Sequence, residues 1–458
     1  MYNNLKIQEN LMINRVLLVS KNFLSKVLIL LAISLLNACQ ILPGTFKFGE
    51  QPLEKIETYR FFLRENDSVI GQVAAVQSQE GETLPDIARH FGLGFNEIIR
   101  ANKDLNVWQL REQSRVILPL QFILPDALRE GIVMNLANMR LFYYPDSTDS
   151  KLLKTVMSFP VGIGKEGWDT PLGKTKIVRK TKAPSWHVPT SIRKEHALKG
   201  DPLPAVVRSG PDNPLGEYAM HLGFPSYLIH GTNKPYGVGL RVSHGCVRLY
   251  PKGIEALFQQ VSVGTRVKIV NQPYLIGWRG EMLYLEVHSP VKQQEKIRTQ
   301  LSQQLTDKNK QNSEKVAMKI DWGKVEKILT EAAGIPIPIL LTKQAYFDFD
   351  SDHSAPLVMR PDRLHGMPVV PKLLQDSWSV LAATFLRKDH AIKLAAMLNH
   401  QGPQIPSRVI ENGQNYQVIA GPFENQIQTQ KVAERIRREF EIEAEVQNPG
   451  SQKIAPFY

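Results

Sequence analysis

Apolar residues recur along the chain in three different ways. The first is one unbroken run, "VLILLAISLL" from Val27 to Leu36, too short for a membrane-spanning helix, which needs about 20 residues. Between residues 72 and 119 the spacing becomes helical, with Ile87, Phe91, Ile98 and Ile99 on one stripe. Thr83 precedes "LPDIARHF" as an N-cap, with Pro85 in the first turn and Asp86 three residues on. The alternating "SRVILPL" closes the segment, which is predicted as strand, helix, helix, strand.

From 130 to 271 the pattern shifts to short alternating runs punctuated by glycine, proline and asparagine. "GIVMNLANMRLFYYP" predicts two strands around Asn138. "KTVMSFPVGI", "GKTKIVRKTK", "YAMHLG", "YLIHGT" and "TRVKIVN" predict five more, and "YPKGIEALFQQV" one helix. A mainly-β barrel or sandwich with few helices follows. Residues 272–340 extend this domain. Within them 292–315 is polar apart from Ile297, Leu301 and Leu305, an exposed helix or flexible insert. A helix is predicted from Trp322 to Ala333, stopping at Gly334. Residues 341–375, with four prolines, read as a linker. Beyond it "WSVLAATF" (378–385) returns as "YQVIAGPF" (416–423), and "KLAAML" (393–398) as "KVAERI" (431–436), both at an offset of 38 residues (378 to 416). Each copy is a strand then an amphipathic helix, so 376–448 is predicted as a βαβα pseudo-dimer of ferredoxin-like type.

At 458 residues the length suits roughly three domains. A net charge of +12 favours an anionic partner: nucleic acid, lipid headgroups or an acidic polymer. No zinc-finger spacing, aromatic RNP run or dense basic helix is present, which disfavours nucleic acid. Arg15, Lys21 and Lys26 precede the apolar run and "NAC" follows it, the layout of an export signal over residues 1–38, with Met12 as an alternative start. "LNAC" resembles a bacterial lipobox, which implies acylation of Cys39 and a tether over 39–66. Gln40, in place of an aspartate, implies a periplasmic protein anchored in the outer rather than the inner membrane.

There are two cysteines. With Cys39 lipidated, Cys246 is a lone thiol in an oxidising compartment, without a disulfide partner. It sits in "SHGCVRL" (243–249). A cysteine attacks as thiolate and needs a base or a positive field. His244 is two residues away. His230 ends the strand "SYLIHGT" sixteen residues upstream, far enough for the chain to reverse through "NKPYGVG" and return beside it. Gly245 permits a backbone geometry that aims the Gly245 and Cys246 amides at a developing oxyanion. Arg248 either clamps a substrate carboxylate or braces the loop. His221 is read as a strand-face or cleft residue, and Trp186 as part of a lid or surface loop. A zinc site from His221, His230, His244 and Cys246 has suitable residue types but no familiar spacing.

"IHGT" followed by "SHGCVRL", with Thr170-Pro171-Leu172-Gly173 upstream and "YLEVH" at 284–288, resembles the YkuD-type L,D-transpeptidase domain, here over 130–271 with its extension. The resemblance implies Cys246 as nucleophile, His230 as base and then acid, and the Ser243 carbonyl orienting the imidazole. It implies a tetrapeptide stem of peptidoglycan as donor, terminal D-Ala as leaving group, and a second stem's amine as acceptor of the thioester in a 3→3 cross-link. A lipoprotein lysine or water would substitute for that amine. No metal or cofactor is implied. Residues 72–119 resemble a LysM glycan-binding module, through Gly81-Glu82-Thr83-Leu84, Asn96-Glu97-Ile98 and Ala101-Asn102. The C-terminal repeat resembles a SPOR domain, which implies binding to peptidoglycan glycan strands. A hydrolase on the same thioester, or a silent wall-binding scaffold, is the competing interpretation.

Overall fold

The structure, a computed structural model, describes residues 59–64, 66–145, 154–198, 200–289, 294–311, 318–341 and 355–450. The export signal, Cys39 and most of the tether lie outside the described residues.

Nine strands form the central sheet: β1 Arg60–Leu63, β2 Gly131–Asn135, β3 Arg140–Tyr144, β4 Lys154–Pro160, β5 Gly173–Lys182, β6 Tyr218–Leu222, β7 Leu228–His230, β8 Val247–Arg248 and β9 Arg266–Val270. Their order is β1-β4-β3-β2-β9-β5-β6-β7-β8. The pairs are antiparallel except β9 with β2 and β7 with β8. The ten-residue β5 is shared. Its first half pairs with β9 and its second half with β6, across a register shift between Ile177 and Arg179. Such a shift bends the strand and raises its twist, so the sheet curls over a core that includes Phe159, Ile177, Ile229, Val247 and Leu257.

The helical segment near the N-terminus has the expected element order. Ala74–Gln77 pairs with Arg115–Leu118, with α1 Leu84–His90 and α2 Phe95–Ala101 between them. Thr83 caps α1 and forms a capping box with Asp86. This segment does not have a core of its own. Leu84, Ile87 and Ile98 share one cluster with Val133, Phe142 and Val156 of the central sheet. Arg140, fully buried on β3, reaches across to Glu97 with two hydrogen bonds of 2.6 and 3.1 Å, and also donates to the Gly92 carbonyl and the Ser158 hydroxyl.

Four helices follow in chain order: α3 Thr190–Leu198, α4 Pro251–Gln260, α5 Gln294–Gln311 and α6 Trp322–Glu331. Within the polar insert Gln294–Gln311 is helical, and Ile297 and Leu301 seat that helix in a satellite core with Leu285 and Leu329. α6 stops two residues short of the sequence expectation because Ala332 turns left-handed. The supposed linker is also partly structured. Leu357 bridges to Ala75, and Arg360 pairs with the buried Glu82 at 2.6 Å, strapping 355–367 along the N-terminal helical segment.

The C-terminal domain corrects the βαβα expectation. With α7 Lys388–Asn399 and α8 Gln426–Phe440, it runs β-α-β-β-α-β. The two repeat strands, Trp378–Phe385 and Asn415–Phe423, form the sheet centre. Ser407–Asn412 and Glu445–Gln447 form its edges.

Candidate active site

The site forms where β7 and β8 run side by side. Their parallel register sets Ile229 opposite Val247 and His230 opposite Arg248. Side chains alternate across a strand. Ile229 and Val247 therefore enter the core, while His230 and Arg248 face a cleft of about 1290 Å³. Cys246, one residue before β8, also lines that cleft, one diagonal step from His230. The connection between them is not the simple reversal expected from "NKPYGVG". The chain makes a short 3-10 turn at Pro235–Gly237, pairs Arg241–Ser243 with Ile163–Gly164, and re-enters parallel to β7.

His230 and Cys246 differ in their electrostatic surroundings. His230 is buried, and burial together with the neighbouring Arg248 charge pushes its pKa down to about 3. The ring is therefore neutral at physiological pH. Its Nδ1 lies 2.6 Å from the Gly231 carbonyl, an arrangement that fixes Nδ1 as the protonated nitrogen and leaves Nε2 to accept a proton. The expected partner was the Ser243 carbonyl, but that oxygen accepts the Lys165 amide at 2.9 Å. Burial pushes the Cys246 thiol up, partly opposed by Arg248. The thiol lies 3.6 Å from the Ser226 carbonyl. The resting pair is thus thiol and neutral imidazole. Moving the thiol proton to this imidazole before any bond forms at sulfur is uphill.

The loop holding the thiol is braced through its backbone. Gly245 has φ +96°, and a Cβ there would lie 2.7 Å from the Tyr227 ring. Its carbonyl accepts from the Thr170 hydroxyl at 2.8 Å, and that hydroxyl accepts the Gly164 amide. The Ser243 hydroxyl donates to the Cys246 carbonyl at 2.6 Å and receives the Gly245 amide at 3.2 Å. The Gly245 amide is therefore engaged within the loop, and of the two expected oxyanion donors the Cys246 amide is the one this geometry favours.

The remaining sequence candidates sit around the same cleft in other roles. His244 faces Glu195 of α3 at 2.8 Å and stacks edge-on to Trp168. Glu195 also pairs with Lys165. Burial lowers the His244 pKa, with Glu195 pulling it back up. His221 of β6 lies 2.9 Å from Arg179 and has its pKa lowered by burial and that charge. His221 and His244 are thus committed to different partners, and the four residues weighed as a zinc site are not gathered on one centre. Trp186 lines the cleft from a two-residue strand paired with Val207. Arg248 has a buried Nε with no hydrogen-bond partner among the described residues. Thr170 is visible in sequence only as part of the Thr170-Pro171-Leu172-Gly173 motif. Glu195 and Ser226 were missed, since a lone glutamate on an amphipathic helix and a loop serine carry no local signal.

Comparison with known proteins places this cleft in a family. The L,D-transpeptidase catalytic domain matches residues 129–269 and the SPOR domain matches residues 375–447. The chain is 42% identical over 227 residues to the probable L,D-transpeptidase YbiS of Escherichia coli K12, spanning 49% of this chain and 72% of that one. It is 43% identical over 232 residues to the probable L,D-transpeptidase ErfK/SrfK of the same organism, spanning 50% and 73%. It is 37% identical over 269 residues to the probable L,D-transpeptidase YcfS, spanning 58% and 82%. A cysteine cleft on a curled β-sheet, inside the matched segment, agrees with that likeness, and the chain belongs to the L,D-transpeptidase family.

Proposed function

We propose that Cys246 attacks the carbonyl of the third residue of a peptidoglycan tetrapeptide stem. The thiol proton passes to His230, the tetrahedral oxyanion collapses, and the same proton leaves with the amine of terminal D-Ala. An amine of a second stem then attacks the thioester, loses its proton to His230, and frees the thiol with a 3→3 cross-link formed. The observation that carries this reading is the β7–β8 register, which sets a neutral imidazole and the thiol on one cleft face. Arg248, beside both, takes a carboxylate of the donor. Residues 72–119 act as a LysM glycan-binding module and the C-terminal domain as a second contact with glycan strands. An export signal and lipid on Cys39 hold the protein on the periplasmic side of the outer membrane. A wall-linked lipoprotein lysine is a second acceptor class, and water would give an L,D-carboxypeptidase.

The test is intact-mass spectrometry of the full chain in detergent after incubation with a carbapenem. One adduct on the wild type, absent from Cys246→Ala, is expected. A folded, reduced wild type without an adduct would leave the wall-binding scaffold as the better account.

A further inference from the structure

The C-terminal domain does not stand apart from the catalytic cleft. His400, at the end of α7, is nearly buried between Asp86 (3.2 Å) and Thr83 (3.1 Å) of the N-terminal helical segment, with its ring 3.9 Å from that of Tyr236. Gly402 presses on the residue that follows Thr232, and a Cβ there would lie 1.8 Å from the Asn233 carbonyl. On α8, Arg438 meets Asp201 at 3.4 Å and Glu439 meets Lys234 at 3.9 Å. These contacts make Arg435, Arg438 and Glu439 part of the wall of the cleft that holds Cys246.

That wall carries surplus positive charge. Arg179, Lys234, Arg248, Arg435 and Arg438 line the cleft against Asp201, Asp212 and Glu439. Lys234 feels Glu439, Arg435, Arg248 and Asp201 together, so these groups share one field. Arg435 spends Nε on Glu439 and Nη1 on the Pro403 carbonyl, but its Nη2 is buried without a hydrogen-bond partner among the described residues. A buried guanidinium N–H without an acceptor is costly unless a ligand supplies one.

We propose that the docked C-terminal domain completes the substrate site, with Arg435 and Arg438 forming a subsite for a second carboxylate of the stem peptide, in the cleft that Arg248 also lines. This rests on the transpeptidase reading and adds its substrate class: a donor whose third residue bears a free side-chain carboxylate. A planar guanidinium fork suits a carboxylate and rejects the neutral amide.

The experiment compares D-Ala release by the full chain from disaccharide tetrapeptides whose third residue carries its side-chain carboxylate free or amidated. The wild type is expected to favour the free acid by about tenfold or more in kcat/KM, the scale of one charge-assisted hydrogen bond. Arg435→Gln with Arg438→Gln should remove that preference mainly through KM. Gly402→Ala, which keeps both arginine side chains but sets a Cβ against the Asn233 carbonyl and so loosens the docking, should remove it too, with thermal melts confirming that both variants fold. Equal use of the two substrates by the wild type would overturn the proposal. So would a preference retained in both variants, or faster turnover in Gly402→Ala, which would make the domain a cover. Carbapenem acylation of the wild type, read in parallel, reports the cysteine mechanism separately.

Discussion

Lowering the pH tests the pairing of thiol and neutral imidazole directly. An imidazole at its ordinary value of 6.5 would be neutral in only about 3% of molecules at pH 5, and a reaction needing it as base would slow roughly 30-fold between neutral pH and pH 5. With the His230 pKa at about 3, the ring stays about 99% neutral at pH 5. The carbapenem acylation rate, followed by intact mass, should therefore be level from pH 7 to pH 5. The same shift has a sign for stability. Between about 3 and 6.5 the unfolded chain binds a proton at this residue that the folded chain does not, so stability falls as pH falls through that window. The loss is about 1.4 kcal/mol per pH unit, or about 2 kcal/mol at pH 5, from this one buried group. Acylation should be measured well below the melting temperature at each pH. A rate that falls along a single-proton curve centred near 6.5, while the protein remains folded, would refute the buried-base assignment.

Three substitutions probe the scaffold of the site. Gly245→Ala forces a side chain into a φ of +96° and against Tyr227. The strain of about 1–3 kcal/mol should appear as an acylation rate lower by tenfold or more, with a small change in Tm. Thr170→Val leaves the Gly245 carbonyl and the Gly164 amide without their shared hydroxyl. Each unpaired buried group costs about 1–3 kcal/mol, so both Tm and acylation should drop, whereas Thr170→Ser should retain most of each. Arg140→Met strips Glu97 of its buried partner, a change worth about 3–5 kcal/mol, which calorimetry should register as a Tm lowered by roughly 6–20 °C. The double variant Arg140→Met with Glu97→Gln should recover part of it.

The catalytic domain was legible where residues carry their own local signal. The strand pair around Asn138, the long strand at Gly173–Lys182 and the helix after Tyr250 follow from alternation and turn residues. What failed depended on distant partners or very short elements. Arg241–Ser243 is a strand only because Ile163–Gly164 lies beside it, so the loop from His230 looked like a plain reversal. The imidazole's partner is the carbonyl of the next residue, a backbone choice that no side chain announces. The two missed strands of the C-terminal domain are edges. Ser407–Asn412 ends in exposed polar residues and Glu445–Gln447 has only three, the short, charged form that protects a sheet edge and erases its signature. The strap at 355–367 reads as a linker in sequence because its prolines are visible, while its anchor to Glu82 lies 278 residues away.

Modules that are separable in sequence share surfaces here, and the sharing reaches the segment between His230 and Cys246. The chain leaving His230 passes Gly239, where a Cβ would lie 2.3 Å from the Phe95 amide nitrogen, and that amide donates to the Val238 carbonyl at 3.0 Å. The start of α2 therefore sits directly on the segment joining His230 to Cys246. The other side of that segment carries Asn233 and Lys234, where the C-terminal domain rests. A close backbone contact on each side leaves the segment little freedom, and its position sets how β8 returns beside β7. The register that faces Cys246 toward His230 is thus held partly by residues outside the catalytic sheet. That accounts for a buried Arg140–Glu97 pair in the first turn of α2, where an apolar contact would have filled the same space without fixing the orientation of the helix.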